Sequence, residues 1–87
     1  MYYVYLLVNE DGDLYTGFTG NLKRRMQEHH KGEGYTRNRG SWKLCYYEAF
    51  TSKKDALGRE KALKQSSQSR RWLKERVKDS LELCRKS

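Results

Sequence analysis

At 87 residues the chain has material for one compact domain and not two, with a core of marginal size. Its 19 Lys and Arg against 11 Asp and Glu leave a formal charge of +8, a field that draws a polyanion, nucleic acid first, more than an acidic lipid or protein surface in particular. Cys45 and Cys84 fit neither a C-x-x-C pair nor a disulfide framework and read as free thiols of a cytoplasmic protein, and no proline, repeat or low-complexity tract marks a linker.

The opening run MYYVYLLV is too short to span a bilayer and lacks the positive start of a secretion signal, so it reads as a strand with no membrane role. It ends in the polar turn Asn9-Glu10-Asp11-Gly12-Asp13, after which Leu14 to Thr19 resumes β-favouring residues, the pattern of a hairpin. If Val8 and Leu14 close its ladder, Tyr5 falls opposite Gly17. Tyr3, Tyr5 and Leu7 then share a face with Tyr15, Gly17 and Thr19, and Gly17 leaves space beside the Tyr5 ring. Asn21 caps a helix that carries Leu22, Arg25, Met26 and His29 on its inward stripe and ends at Gly32 or Gly34. Residues 32 to 41, rich in glycine, read as a loop in which Lys31, Arg37 and Arg39 surround Tyr35.

Trp42 to Phe50 is again strand-like. Ser52 caps a second helix with Asp55 at its third position and with Ala56, Leu57, Glu60 and Leu63 on one face. After a polar break at Gln65 to Ser69, a helical extension over about 69–84 places Trp72, Leu73, Val77, Leu81 and Cys84 at helical spacing. Trp72, Leu73, Val77 and Leu81 are read as core; left exposed, the same stripe would dock a protein partner. The order is ββαβαα, an α+β domain built on an antiparallel sheet.

Two inward stripes hold residues that a purely structural helix avoids: Arg25 and His29 in the first, Glu60 in the second. A charge on a face due for burial is costly unless it is paired or opens onto a site. One reading is a structural Arg25–Glu60 ion pair with His29 as packing. The other is a cleft, because Tyr5 and Tyr15 share the strand face that the first helix follows. Two phenols, an imidazole, a guanidinium and a metal-capable carboxylate suit phosphodiester hydrolysis, in which an Arg and a divalent ion stabilise growing charge while a phenol or imidazole takes a proton from water.

Tyr3-Val4-Tyr5, Tyr15-Thr16-Gly17, Asn21-Leu22-x-x-Arg25-x-x-x-His29 and Glu60 within Leu57-Gly58-Arg59-Glu60-Lys61, in that order and over about residues 2–65, resemble the GIY-YIG nuclease superfamily, in particular its small stand-alone bacterial members. The resemblance implies a single GIY-YIG-like domain over 1–87, with a central three-stranded antiparallel sheet flanked by helices. It also implies a metal-dependent endonuclease acting on DNA, with structure-specific cutting of repair or recombination intermediates as a candidate activity. Tyr5 would then act as general base or position the attacking water, and Tyr15 would hydrogen-bond around that water and the scissile phosphate. Arg25 would hold the phosphate, His29 assist proton transfer, and Glu60 bind one Mg²⁺ or Mn²⁺. The departures, Tyr3-Val4 in place of Gly-Ile and Thr16 in place of Ile, spare the Tyr and Gly residues that matter, whereas a late asparagine of some family members has no match after Gln65. Lys23, Lys31, Tyr35, Arg37 and Arg39 are candidate contacts to flanking nucleic acid, and a non-catalytic nucleic-acid-binding module on the same fold is the alternative function.

Overall fold

The run from Tyr2 to Asn9 forms the middle strand of the sheet, and its near-continuous apolar character follows from that position, since both faces are covered from Val4 onward. In the computed structural model, which describes residues 1–30 and 42–86, this strand is β1 (Tyr2–Asn9). It is followed by β2 (Leu14–Thr19), α1 (Leu22–His30), β3 (Trp42–Phe50), α2 (Lys53–Gln65), α3 (Ser67–Arg76) and α4 (Lys78–Lys86). The three strands lie in the order β2-β1-β3, all antiparallel, as expected.

The hairpin has the register expected, with Val8 opposite Leu14 and Tyr5 opposite Gly17. Its turn is held by backbone bonds from Asn9 N to Asp13 O and from Gly12 N to Asn9 O, both 3.1 Å. The Asp13 amide donates to Asn9 Oδ1 at 2.8 Å. Gly12 sits at φ +85°, a conformation that a side chain disfavours. On the far side of β1 the β3 ladder slips between Leu6 and Leu7, so that Tyr46 faces Leu6 and Leu44 faces Leu7. Cys45 is the extra residue of this bulge. Its thiol donates to Leu6 O at 3.3 Å, and burial, with Cys84 nearby, pushes it up to about 12.

The sheet separates two layers. Val4 and Leu6 pack with Ala56 and Leu63 of α2, Leu73 of α3 and Val77 at the α3–α4 junction, joined by Leu14, Phe18 and Leu81. The opposite face, with Tyr5 and Tyr15, receives α1 through His29. Both expected caps form: Asn21 Oδ1 accepts from Arg24 N at 3.0 Å, and Ser52 Oγ accepts from Asp55 N at 3.2 Å. From α2, Arg59 grips Glu48 of β3 through Nε at 3.0 Å and Nη2 at 3.0 Å, while the Tyr46 hydroxyl donates to the same carboxylate at 2.6 Å. Burial alone would raise Glu48, but the guanidinium fork and the phenol outweigh it and hold the carboxyl below its usual range.

Three expectations need correction. The helical extension begins at Ser67 and not 69, because Ser66 ends α2 and caps α3 in one residue, its Oγ accepting from Ser69 N at 3.1 Å. The extension is also two helices, giving ββαβααα. Val77 leaves helical geometry (φ −112°, ψ 21°) while still donating to Leu73 O, and the bend turns α4 so that Cys84 Sγ reaches Leu44 O at 3.6 Å. Finally, Trp72 and Leu57 are not core, being 64% and 41% exposed. Adjacent helical residues lie about 100° apart, so Leu73 and Ala56 take the inward positions and their neighbours turn outward. The Leu73–Val77–Leu81 stripe packs against the core. Among the described residues no helix is long and apolar enough to cross a membrane.

Candidate active site

The site is built by the β-face periodicity of the hairpin and the four-residue spacing of α1. Tyr5 and Tyr15 project from one face of adjacent strands, with ring centroids 6.3 Å apart. Asn21 fixes where α1 begins, and this places Arg25 and His29, one turn apart, over both rings. The His29 ring stands edge-on to Tyr5 and to Tyr15, with centroids at 5.7 and 5.5 Å. At the centre is the Tyr5 hydroxyl, 2.9 Å from His29 Nε2 and 3.3 Å from Arg25 Nε. Arg25 can only donate to the phenol oxygen, and the direction of the Tyr5–His29 bond follows the imidazole tautomer: with the proton on Nδ1, Nε2 accepts from the phenol.

The electrostatics set the resting protonation of the pair. Burial, and secondly the Arg25 charge, hold His29 below the usual histidine value, so it is neutral at pH 7. Burial also raises Tyr5, against the pull of the Arg25 hydrogen bond, so Tyr5 rests as a phenol and not a phenolate. Arg25 is held firmly charged, first by Glu28 and then by the Tyr5 hydroxyl, with Tyr15 adding to both. The Glu28 contact, Nη1 to Oε1 at 2.8 Å, clamps the guanidinium from outside while Nε points inward. Gly17 is the residue opposite Tyr5 that makes this packing possible: a Cβ there would stand 2.8 Å from Tyr5 Cε2 and closer still to Cζ and the hydroxyl.

Glu60 belongs to α2, in the other layer. It pairs with Lys64 one turn on, Oε2 to Nζ at 3.2 Å, and Lys64 in turn lies 5.7 Å from the Tyr15 ring centroid. Glu60 is near enough to contribute to the rise at Tyr5. The expected alternative, an Arg25–Glu60 ion pair, does not form, since each has its own neighbour on its own helix. Among the described residues no group of three or more His, Cys, Asp or Glu converges as a metal cage. One partly buried carboxylate is still an ordinary partner for Mg²⁺, which keeps waters and takes substrate oxygens for its other positions. The donor set therefore fits one hard divalent ion bound together with phosphate, and not a preformed cage.

Tyr5, Tyr15, Arg25 and His29 are thus brought together, with Glu60 joined to them through Lys64. Lys23 lies on the outer side of α1, whereas Lys31, Tyr35, Arg37 and Arg39 lie outside the described residues. The structure adds Glu28, Lys64 and Trp42 to the site. Glu28 and Lys64 carry a readable signal, standing three and four residues from Arg25 and Glu60. Trp42 carries none: its ring meets Tyr15 edge-on at 6.5 Å across the sheet, and its indole N–H is buried with no acceptor among the described residues.

The site thus sets paired tyrosines of the sheet under an Arg/His helix, with a glutamate on the next helix. The chain belongs to the GIY-YIG catalytic-domain family, whose sequence model matches residues 1–75. Within that family it is similar to small UPF0213 proteins. It is 44% identical over 73 residues to the UPF0213 protein of Clostridium perfringens, covering 82% of this chain and 78% of that one. With the UPF0213 protein of Halobacterium salinarum it shares 41% identity over 73 residues, covering 82% of this chain and 95% of that one. The solution NMR structure of a UPF0213 protein from Bacillus halodurans superposes with a TM-score of 0.54 at 40% identity, covering 84% of this chain and 82% of that one.

Proposed function

We propose that the protein is a metal-dependent endonuclease that hydrolyses phosphodiester bonds in DNA, with branched, flapped or nicked duplexes as its substrates. The observation that carries this reading is the chain of contacts Arg25 Nε to Tyr5 hydroxyl to His29 Nε2, which couples an anion-binding charge to a proton acceptor through one oxygen. Water attacks phosphorus as its proton passes to the Tyr5 oxygen and the Tyr5 proton passes to neutral His29; the P–O ester bond breaks, and the leaving oxygen takes a proton from solvent. Arg25, held by Glu28, meets the charge that grows on the phosphate. Tyr15 lies beside Tyr5 and His29 and orients the water and the phosphate from the other side. Glu60 is the residue that would hold a single Mg²⁺ or Mn²⁺; when bound, the ion stabilises negative charge on the phosphate and leaving oxygens. A cytoplasmic location fits two cysteines with no disulfide among the described residues.

The function is tested by incubating the pure protein with nicked, flapped and branched DNA, and with RNA of matching shape, in Mg²⁺ or Mn²⁺ and in chelator. Metal-dependent cleavage of at least one DNA form is expected. Salt-sensitive binding with no turnover in either metal would instead favour a binding module on a retained nuclease fold.

The relay also sets a pH profile. With His29 held below its ordinary value of 6.5, cleavage should be full at neutral pH and fall on the acid side with a midpoint below 6.5, as the imidazole gains a proton and can no longer accept one. The same shift makes stability full above 6.5 and lost as pH falls from there through the lower folded-state value. His29→Gln should lose the acid limb together with most of the rate; an unchanged limb would assign it to another group.

A further inference from the structure

Beyond the tyrosine cluster, two recesses run into one another along the outer side of β2. One, about 340 Å³, opens beside Tyr15 and Lys64; the other, about 290 Å³, extends to Gly12 and Lys74. Leu14, Thr16, Leu63 and Arg70 line both. The combined furrow therefore begins at the catalytic cluster and leaves it across the junction of α2 and α3.

Three cations follow one another along it. Lys64 stands at the entrance, paired with Glu60. Arg70 is in the shared middle, its Nη1 donating to Leu63 O at 3.0 Å and to Lys64 O at 2.8 Å, the exposed carbonyls of the last turn of α2. These bonds fix the guanidinium and leave its Nε and Nη2 without an acceptor among the described residues, so a ligand meets a charge already in position. Lys74 lies at the far end and has no ion pair among the described residues, while its neighbour Glu75 is taken by Lys78 at 3.6 Å. The one carboxylate in the wall among the described residues, Asp13, already accepts from Asn9 Nδ2 at 3.1 Å. A solvated charged face has its signs interspersed; this one presents a row of cations, one rigidly held, leading out of a site that handles phosphate.

We propose that the furrow is a phosphate track for the strand that runs on from the scissile bond, with Arg70 and Lys74 neutralising successive backbone phosphates. This rests on the phosphodiester reading of the site and adds to it where the flanking strand lies, on the α2–α3 side. The contacts are to the backbone, so they give affinity and register and not base sequence.

The test is fluorescence anisotropy of a labelled flapped DNA with the full chain, in chelator to prevent turnover, over a series of salt concentrations. Lys74→Glu should weaken binding about tenfold and flatten the slope of log K against log salt by about 1. Lys53→Glu makes the same change of charge at the exposed start of α2, away from the furrow, and should leave the slope unchanged. Thermal melts confirm that both variants are folded. Neutral methylphosphonate linkages on one side of the cut should weaken binding to wild type more than to Lys74→Glu, which keeps only the Arg70 contact. Equal losses in the two variants would assign the effect to general field and overturn the track. So would a wild type that cleaves DNA with the same KM as Lys74→Glu, and in that case the nuclease reading stands. A wild type that neither binds nor cuts removes both.

Discussion

Gly17→Ala is expected to lower kcat by about 100-fold or more, although it adds a single methyl group. The new Cβ would sit 2.8 Å from Tyr5 Cε2 and closer to the hydroxyl end of the ring. That ring cannot swing aside, because Tyr5 is 1% exposed and its hydroxyl is engaged by Arg25 and His29. Overpacking of this kind costs about 1–3 kcal/mol. In a domain of this size each kcal/mol lowers the melting midpoint by about 4–8 °C. The larger effect is on chemistry, since a displacement of about 1 Å at a reacting group costs about 100-fold. Gly20→Ala is the matched control: its Cβ would come no nearer than 3.9 Å to the Tyr2 ring, an ordinary contact. Kinetics and thermal melts of the two variants side by side check the expectation, and full activity in Gly17→Ala would show that the Tyr5 position is unimportant.

Tyr5→Phe should lower kcat by about 10²–10⁴ with DNA affinity retained. The substitution keeps the ring that packs against Tyr15 and His29 and removes only the oxygen lying between Arg25 Nε and His29 Nε2. The two nitrogens are then left facing a gap, and the proton of the attacking water has lost its route. Because one of the lost bonds involves a charged donor, stability should fall as well, by about 1–3 kcal/mol. Single-turnover cleavage together with binding in chelator separates the two quantities. Near wild-type turnover would mean that His29 or another base takes the proton directly.

The hairpin register is legible in the amino-acid sequence, because a five-residue polar turn and strand alternation leave one way to pair the strands, and that register alone places Tyr5 beside Gly17. The α1 stripe is equally legible from Asn21 and the spacing of Arg25 and His29, since a cap and a 3.6-residue period leave little freedom. What the sequence does not disclose depends on contacts between segments far apart along the chain. That α2 and α3 lie on the opposite sheet face from α1, with Lys64 meeting Tyr15 from that layer, is decided by which layer closes over Val4 and Leu6. Trp72 reads as core because it is a large aromatic at helical spacing, yet the adjacent Leu73 has the better claim to the inward position through its i+4 partner Val77. The bend at Val77 carries no glycine or proline to announce it, and it serves to lay α4 against β3.

Glu60 is where the phosphodiester reading is most exposed, because one carboxylate, already paired with Lys64, must take up the metal when phosphate arrives. The most direct measurement is the single-turnover cleavage rate of a flapped DNA, at saturating protein, over a Mg²⁺ titration for wild type and Glu60→Gln. The expected result is a wild-type rate that rises and saturates with Mg²⁺, beside a Glu60→Gln protein that binds the DNA equally well and stays at the uncatalysed baseline throughout. A Glu60→Gln protein that cuts at the wild-type rate with the same Mg²⁺ dependence would contradict it.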